Sequence, residues 1–184
     1  LQRLFDGVAA PILYISSTQI DTVAPYAIAG RQSARVEVEY NGARSNPSDL
    51  VVSPDAAPGI FTIDGSGRGQ AAAINQSGRL NGPANPASVD SVLVFYVTGE
   101  GQTEPVGQEG RVIATDLRKP VLPVVVNIGG VPVEVLYAGS TPGQVTGLMQ
   151  VNVKLNSEVP RGPAVPIEIR VGPAPSPAGV TVAI

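Results

Sequence analysis

The fold of this chain is decided by the stretch Gly130-Val-Pro-Val-Glu-Val-Leu-Tyr-Ala-Gly139, which continues into Leu148-Met-Gln-Val-Asn-Val-Lys-Leu155. An earlier part of the chain has the same order of small, apolar and Tyr positions, in Gly7-Val-Ala-Ala-Pro-Ile-Leu-Tyr-Ile-Ser16 and Thr18-Gln-Ile-Asp-Thr-Val23. Apolar residues at alternate positions, with glycine where the chain must turn, are typical of β-hairpins. We therefore interpret the two parts as two copies of one β unit.

The similarity between the two copies extends beyond these stretches. The aligned positions are Gly7 with Gly130, Leu13-Tyr14 with Leu136-Tyr137, Gln19-Ile20 with Gln150-Val151, Gly30-Arg31 with Arg161-Gly162, and Val36-Glu-Val-Glu39 with Ile167-Glu-Ile-Arg170. We expect Gly7 and Gly130 to lie in matching tight turns at positive φ. We expect Tyr14 and Tyr137 to place their rings in the two cores, with each hydroxyl hydrogen-bonded near the rim.

The composition predicts an all-β protein. The chain has 184 residues, enough for one large or two small domains, and 43% of them are hydrophobic. The apolar residues are mostly Val, Ile and Ala, and 21 Gly and 18 Pro interrupt the apolar runs, a pattern typical of many short strands. We predict two immunoglobulin-like antiparallel β-sandwich units in tandem, residues 1–57 and 58–184, joined at Pro54–Gly59. No stretch keeps a helical apolar stripe for three turns, so no helix is predicted.

Two segments carry the strongest strand signals. Ser33–Tyr40 alternates apolar and polar residues and runs into Asn41-Gly42, a pair that favours a tight hairpin turn. Ser91–Thr98 is a continuous apolar run, which we interpret as a strand buried on both faces. The predicted core of the second unit consists of Val92, Val94, Tyr96, Val135, Val151, Val153 and Ile169.

The two units are unequal in length. The run Val92–Thr98 precedes the Gly130 turn of the second unit, and the first unit has no counterpart of it ahead of its own turn. We expect the first unit to lack one or two leading strands that lie upstream in a longer protein. A sheet edge left open in this way can pair with another chain. We therefore expect the first unit to be less stable and to self-associate.

Charge and residue types exclude several functions. The net charge is −3, and Lys119 and Lys154 are the only lysines, so no basic surface for nucleic acid is expected. No apolar run reaches the length of about 20 residues that spans a bilayer. The chain contains neither Cys nor His, which excludes Ser-His-Asp and Cys-His catalysis and the usual zinc and iron sites. We expect no catalytic activity, no cofactor and no tightly bound transition metal.

One loop concentrates carboxylates after a strand. Glu100, Glu104, Glu109 and Asp116 lie in or near the segment that follows Thr98. The simplest interpretation is a solvated acidic loop. Oxygen ligands on a loop also suit calcium, which makes these four residues candidate calcium ligands. A carboxylate pair at a fixed separation in a cleft can hydrolyse glycosides, and that is the third interpretation.

Two further features are candidates for binding. Asp64-Gly-Ser-Gly-Arg-Gly69 is spaced like a calcium loop, but Arg68 stands where an oxygen ligand is required, so we predict a β-turn. Carbohydrate-binding sites present exposed aromatic rings, and the chain has no Trp and five Tyr. Tyr26 and Tyr40 are the tyrosines we expect to be exposed and available for an interaction.

Five ordered motifs across the chain resemble those of one known family. They are Pro11-Ile-Leu-Tyr-Ile-Ser-Ser-Thr-Gln-Ile20, Pro58-Gly-Ile-Phe61, Gly67-Arg-Gly-Gln70, Tyr96-Val-Thr-Gly-Glu-Gly101 and Leu148-Met-Gln-Val-Asn-Val153. In these motifs the chain resembles the uncharacterised C-terminal domain family of Solibacter and other Acidobacteria. Members of that family stand at the C-terminus of long exported proteins, behind repeats or enzyme modules. The resemblance implies an extracytoplasmic, immunoglobulin-like tail and no catalytic residues.

These observations lead to a leading hypothesis and an alternative. The leading one is a non-enzymatic interaction or spacer module of a secreted or cell-surface protein, serving adhesion or surface attachment. Its partners would be other domains of the same polypeptide and a surface protein or glycan. The alternative is a carbohydrate-binding β-sandwich that accompanies a secreted hydrolase. An enzyme that uses the acidic loop is a third possibility.

Overall fold

The computed structural model describes residues 2–184, which form β-strands, turns and one short 3₁₀ segment, with no α-helix in that range. The N-terminal strands are β1 (Gln2–Phe5), β2 (Val8–Ala10), β3 (Ile12–Ile15), β4 (Ile20–Thr22), β5 (Ser33–Tyr40), β6 (Ala43–Arg44) and β7 (Ser48–Val51), and the 3₁₀ segment Tyr26–Ile28 lies between β4 and β5. They form a five-stranded sheet, in the order β2-β1-β5-β6 with β7 also on β5, and a separate hairpin of β3 and β4.

The C-terminal strands form a larger sheet. They are β8 (Gly59–Ile60), β9 (Gly69–Gln70), β10 (Ala73–Asn75), β11 (Val92–Thr98), β12 (Thr103–Glu104), β13 (Lys119–Pro120), β14 (Val124–Ile128), β15 (Val131–Ser140), β16 (Met149–Lys154), β17 (Val165–Val171), β18 (Ala174–Pro175) and β19 (Val180–Val182). Ten of them join in the order β10-β11-β16-β15-β14-β17-β19-β9, with β18 on β17 and β8 on β11. β12 and β13 form a small pair of their own. No helix within residues 2–184 has the length and apolarity needed to cross a membrane.

The chain is all-β, as predicted, and its C-terminal sheet folds over one core. Buried side chains of β11 and β16 share a single cluster with those of β14, β17 and β19, an arrangement consistent with a β-sandwich. The N-terminal strands enclose a much smaller core, made of Phe5, Ala10, Ile28, Ala34 and Val36. Apolar burial is the main stabilising contribution to a fold, so the C-terminal strands hold most of the hydrophobic stabilisation.

The predicted core was partly correct. Val151, Val153 and Ile169 are fully buried, as expected, and Val135 packs at the edge of the cluster. The prediction for β11 was wrong, because Leu93, Phe95 and Val97 enter the core while the three predicted residues, Val92, Val94 and Tyr96, lie half-buried on the other face. The interpretation of β11 as buried on both faces was wrong for the same reason.

The strand pairs of the two parts of the chain share a register. Phe5 lies opposite Val36 in the β1–β5 pair, and the aligned residue Ile128 lies opposite Ile167 in the β14–β17 pair. Each hairpin also turns on a glycine at positive φ, +83° at Gly7 and +81° at Gly130. The expectation of matching tight turns at these two glycines is confirmed.

A β-bulge recurs at aligned positions. The β3–β4 pairing shifts between Ile12 and Tyr14, and the β15–β16 pairing shifts between Val135 and Tyr137. A bulge inserts one residue and bends the strand that carries it. The aligned residues Leu13 and Leu136 are both exposed at these bulges.

The two aligned tyrosines differ in burial. Tyr137 is half-buried and its hydroxyl donates a hydrogen bond of 2.7 Å to the backbone oxygen of Ser140. Tyr14 is 52% exposed, so the prediction that its ring lies in a core was wrong. The physical reason is that β3 and β4 stand as a two-stranded hairpin, whereas β15 lies inside the large sheet.

A serine closes the last hairpin in both parts. The Oγ of Ser176 accepts a hydrogen bond of 3.1 Å from the backbone N–H of Ile169, and the Oγ of Ser45 accepts one of 3.0 Å from Val38. Ser176 is buried and Ser45 is exposed. A buried donor without an acceptor costs its full desolvation energy, whereas water replaces the acceptor at an exposed site.

Ser176→Ala is therefore expected to lower the free energy of unfolding by about 1–3 kcal/mol, because the N–H of Ile169 would lose its acceptor. Ser45→Ala is the matched control and is expected to change it by less than about 0.5 kcal/mol. Urea unfolding followed by circular dichroism measures both values. An equal loss in the two variants would mean that burial does not distinguish these serines.

Candidate functional site

A largely apolar groove lies between the N-terminal strands and the C-terminal loops. Its volume is about 660 Å³. The N-terminal side contributes Thr22 at the end of β4, Ile28 of the 3₁₀ segment and Leu50 of β7, and the C-terminal side contributes Phe61 and Leu148. Pockets of this size, lined by apolar residues with a few polar groups, are the usual places where proteins bind ligands.

Tyr26 joins the two sides at the floor of the groove. Its hydroxyl donates a hydrogen bond of 2.9 Å to Oε1 of Glu100, and its backbone N–H donates one of 2.7 Å to Oε1 of Glu109. Pro25 precedes the 3₁₀ segment with an extended backbone (φ −63°, ψ 139°) and so directs Tyr26 towards these carboxylates. A Cβ on Gly107 would come within 2.3 Å of the Tyr26 ring, so glycine is required for this close approach.

Glu100 is held in place by the turn that ends β11. Gly99 and Gly101 on either side of it have φ of +72° and +73°, a backbone region that favours glycine. The Glu100 side chain is only 4% exposed, and its Oε2 has no hydrogen-bond partner within residues 2–184. Burial raises the pKa of the Glu100 carboxyl, and the hydrogen bond from Tyr26 and the charge of Arg118 act in the opposite direction.

The sequence analysis did not identify Arg118, a buried cation near Glu100. Arg118 is 3% exposed, and its Nη2 donates a hydrogen bond of 3.2 Å to Oδ2 of Asp116. Its Nε and Nη1 have no partner in the described part of the chain. Arginine is seldom fully buried unless it is paired, but nothing in the residues around Arg118 distinguishes it from an arginine in a solvated loop.

The buried charge also affects the neighbouring tyrosines. Burial, followed by the charge of Glu100, raises the pKa of Tyr26. The same two causes, in the same order, raise the pKa of Tyr137. Both hydroxyls therefore remain protonated in neutral solution and act as hydrogen-bond donors.

The four candidate calcium ligands do not converge on one point. Glu100 accepts the hydrogen bond from Tyr26, Glu109 accepts one from the Tyr26 backbone, Asp116 pairs with Arg118, and Glu104 is exposed on β12. Between residues 2 and 184 no group of three or more His, Cys, Asp or Glu side chains is arranged to hold a metal ion. Two of them, Glu100 and Glu109, thus form part of a contact between the two parts of the chain.

The Asp64–Gly69 segment is a turn closed by its own side chains. Oδ1 of Asp64 accepts hydrogen bonds from the backbone N–H and the hydroxyl of Ser66, at 3.0 and 2.8 Å. A third bond of 3.0 Å comes from the hydroxyl of Thr62. The segment turns, as predicted, and the backbone β-turn hydrogen bond, of 3.1 Å from the Gly65 N–H to the Thr62 oxygen, begins two residues before Asp64.

The two tyrosines proposed for interaction occupy different environments. Tyr40 is 62% exposed at the end of β5 and does not line the groove. Tyr26 is half-buried with its hydroxyl on Glu100, so the prediction that it is exposed was wrong. Its burial depends on a contact with a residue far along the chain, which local sequence does not reveal.

Glu100→Gln tests the buried carboxyl. Because the folded protein holds the Glu100 proton more tightly than the unfolded chain does, this group stabilises the fold fully below its usual pKa of 4.5, and that contribution is lost as the pH rises through the raised value. Gln cannot ionise, and its amide oxygen still accepts from Tyr26. We therefore expect the urea midpoint of the wild type to fall relative to that of Glu100→Gln as the pH rises above 4.5.

The control for this experiment is Glu104→Gln, which changes an exposed carboxylate in the same loop and is expected to follow the wild type. The carboxyls with lowered pKa, Asp6 and Asp64, lose their contribution only as the pH falls below their usual value of 3.8, outside this range. A constant difference between wild type and Glu100→Gln across the range would contradict the prediction.

No family model matches this chain, and neither a curated protein nor a solved structure is significantly similar to it.

Proposed function

We propose that this chain is a non-enzymatic interaction module of a secreted or cell-surface protein, and that it binds polypeptide through the groove between its two parts. The observation that carries the proposal is the groove itself. Its wall is mostly apolar, with Ile28, Leu50, Phe61 and Leu148 among its residues. Exposed apolar surfaces of this kind are typical of protein-binding sites.

The architecture we propose is two immunoglobulin-like units in tandem, residues 1–57 and 58–184. The matched strand register, the matched turns at Gly7 and Gly130 and the matched bulges support an internal duplication. The first unit would lack a leading strand. In support, β16 has β11 on its outer side, whereas β4 pairs only with β3 in the described chain.

A location outside the cytoplasm is supported by the resemblance in the five motifs quoted above. A chain without Cys needs no disulfides, and a domain of this size is stable without them. A spacer role is also supported by the two hydrogen bonds at Tyr26, which join the N-terminal and C-terminal parts of the chain.

The test is to probe the purified chain against an array of extended apolar peptides and an array of glycans. We expect binding to peptides, and we expect Leu50→Glu, which places a charge on the groove wall, to weaken it at least tenfold, the equivalent of about 1.4 kcal/mol. Leu136→Glu is the control, because Leu136 is an exposed apolar residue outside the groove. Binding to glycans alone would contradict the proposal and indicate that the chain is a carbohydrate-binding module.

A hydrolase screen tests the absence of catalysis. We expect no turnover of glycoside, ester or peptide substrates by the wild type. Turnover that is lost in the double variant Glu100→Gln and Glu104→Gln would contradict the proposal and assign catalysis to the acidic loop.

A further inference from the structure

The outer edge of β4 is the place where the two parts of the chain differ most. In the C-terminal sheet, β11 pairs antiparallel with β16, so that Phe95 lies opposite Val151 and Leu93 opposite Val153. The residues aligned with Val151 and Val153 are Ile20 and Thr22 of β4. In residues 2–184, β4 has no strand on that side.

The apolar face beside this edge is uncovered in the same way. Val171 and Val182 are both 0% exposed in the C-terminal core. Tyr40, which aligns with Val171, is 62% exposed. Leu50 pairs with Ala34 of β5 in the way that Val182 pairs with the aligned Val165 of β17, and Leu50 is 45% exposed. The groove reaches this face at Leu50, and Tyr40 lies outside the groove.

We propose that the β4 edge and the adjoining groove accept one extended polypeptide strand, antiparallel to β4, with apolar side chains at every second position. The occupant is a strand of the Val92–Thr98 type, and it comes from outside residues 1–184. This inference rests on the proposed function and names the ligand of the same groove. Strand addition to an open sheet edge takes affinity from main-chain hydrogen bonds and specificity from alternate side chains.

The register of β11 defines what such a strand must look like. The side chains that face the core from β11 are Leu93, Phe95 and Val97, and they are fully buried. A strand on β4 would place its equivalent side chains over Ile20 and Thr22, of which Thr22 lines the groove. Asp21, which lies between them on β4, is exposed and also lines the groove, so polar residues at the intervening positions of the occupant would meet a carboxylate.

A second molecule of this chain is a poor source for this strand. Its Val92–Thr98 segment already has β16 on one side and β10 and β8 on the other. Donating that segment would require the large core to open. The exposed β4 edges of two molecules could pair with each other, and the experiment below detects that outcome.

The experiment adds the strand and measures hydrogen exchange at Gln19–Val23. In one arm the full chain is mixed with a synthetic peptide of the sequence Asp90–Glu104. In the other arm a copy of residues 88–123 is fused directly ahead of Leu1, which reproduces the spacing between β11 and β14 because Leu1 aligns with Val124. We expect exchange at Gln19–Val23 to slow by at least about tenfold in the fused protein, because amides in a paired strand are protected.

The matched control carries Leu93→Ser, Phe95→Ser and Val97→Ser in the peptide or in the fused copy, and it is expected to give no protection. Ile20→Lys in the host is expected to abolish protection by the unchanged strand, because Ile20 lies under its central residue. Circular dichroism establishes that each protein is folded.

The outcomes separate the two proposals. Failure of the unchanged strand to protect Gln19–Val23 in a folded fusion, or equal protection by the serine control, overturns the strand proposal. Protection of the chain alone that grows with protein concentration, together with a dimer in analytical ultracentrifugation, also overturns it in favour of a second molecule. If peptides bind the groove on the array and Gln19–Val23 stays unprotected, only the strand proposal fails.

Discussion

Phe95→Ala is expected to lower the free energy of unfolding by about 3–5 kcal/mol. Phe95 is fully buried on β11, opposite Val151 on one side and Ala73 on the other. Truncation removes the apolar ring from the core enclosed by the C-terminal sheet, and the neighbours cannot close the space without moving backbone. The urea midpoint, measured with an unchanged m-value, reports the loss.

The control is Phe61→Ala, which removes the same ring from a residue that lines the groove and is exposed. We expect a change of less than about 1 kcal/mol there. If the two variants lose the same stability, Phe95 does not contribute to the core in the way that the structure indicates. Comparison of the two variants also separates stability from binding, since Phe61→Ala is expected to weaken peptide binding by the groove.

The sequence predicted the elements whose own residues encode them. Ser33–Tyr40 alternates apolar and polar side chains and forms β5, and the Asn41-Gly42 pair that follows has both residues at positive φ. The glycine turns at Gly7 and Gly130 were predicted from alignment of the chain with itself. In each case the signal lies in a few consecutive residues, where backbone preference and side-chain period agree.

The face of β11 was not predictable in this way. A run of six apolar residues has no alternation, so it does not tell which of its two faces enters the core. That choice depends on the register with β16, which is set by residues more than fifty positions away. Leu93, Phe95 and Val97 are buried because their pairing partners, such as Val151 and Val153, face the same core.

The candidate site depends on contacts that are even less visible in the sequence. Tyr26 and Glu100 are separated by 74 positions, and their hydrogen bond brings a 3₁₀ segment to the end of β11. The carboxylates of the acidic loop looked like one cluster because they are close in sequence. In the fold they separate: Glu100 and Glu109 both contact Tyr26, Asp116 pairs with Arg118, and Glu104 is exposed.

The second large effect is expected at the turn that holds Glu100, where Gly99→Ala should lower the free energy of unfolding by about 2–5 kcal/mol. Gly99 has φ of +72°, which strains any residue with a Cβ, and a Cβ there would lie 1.8 Å from the backbone oxygen of Ala57. The segment before β8 would have to move away from β11. That movement breaks the hydrogen bond of 3.0 Å from the Ala57 N–H to the Gly99 oxygen.

Gly7→Ala isolates the conformational part of this effect. Gly7 has a similar φ of +83°, but a Cβ there meets no atom within 4 Å, so only backbone strain remains. We expect a loss of about 1 kcal/mol, less than half of that at Gly99. Urea unfolding of both variants gives the comparison, and peptide binding to Gly99→Ala should weaken as well, because residues 54–57 line the groove. Equal losses in the two variants would show that the close approach of Ala57 to Gly99 does not constrain the fold, and that Glu100 is positioned by other contacts.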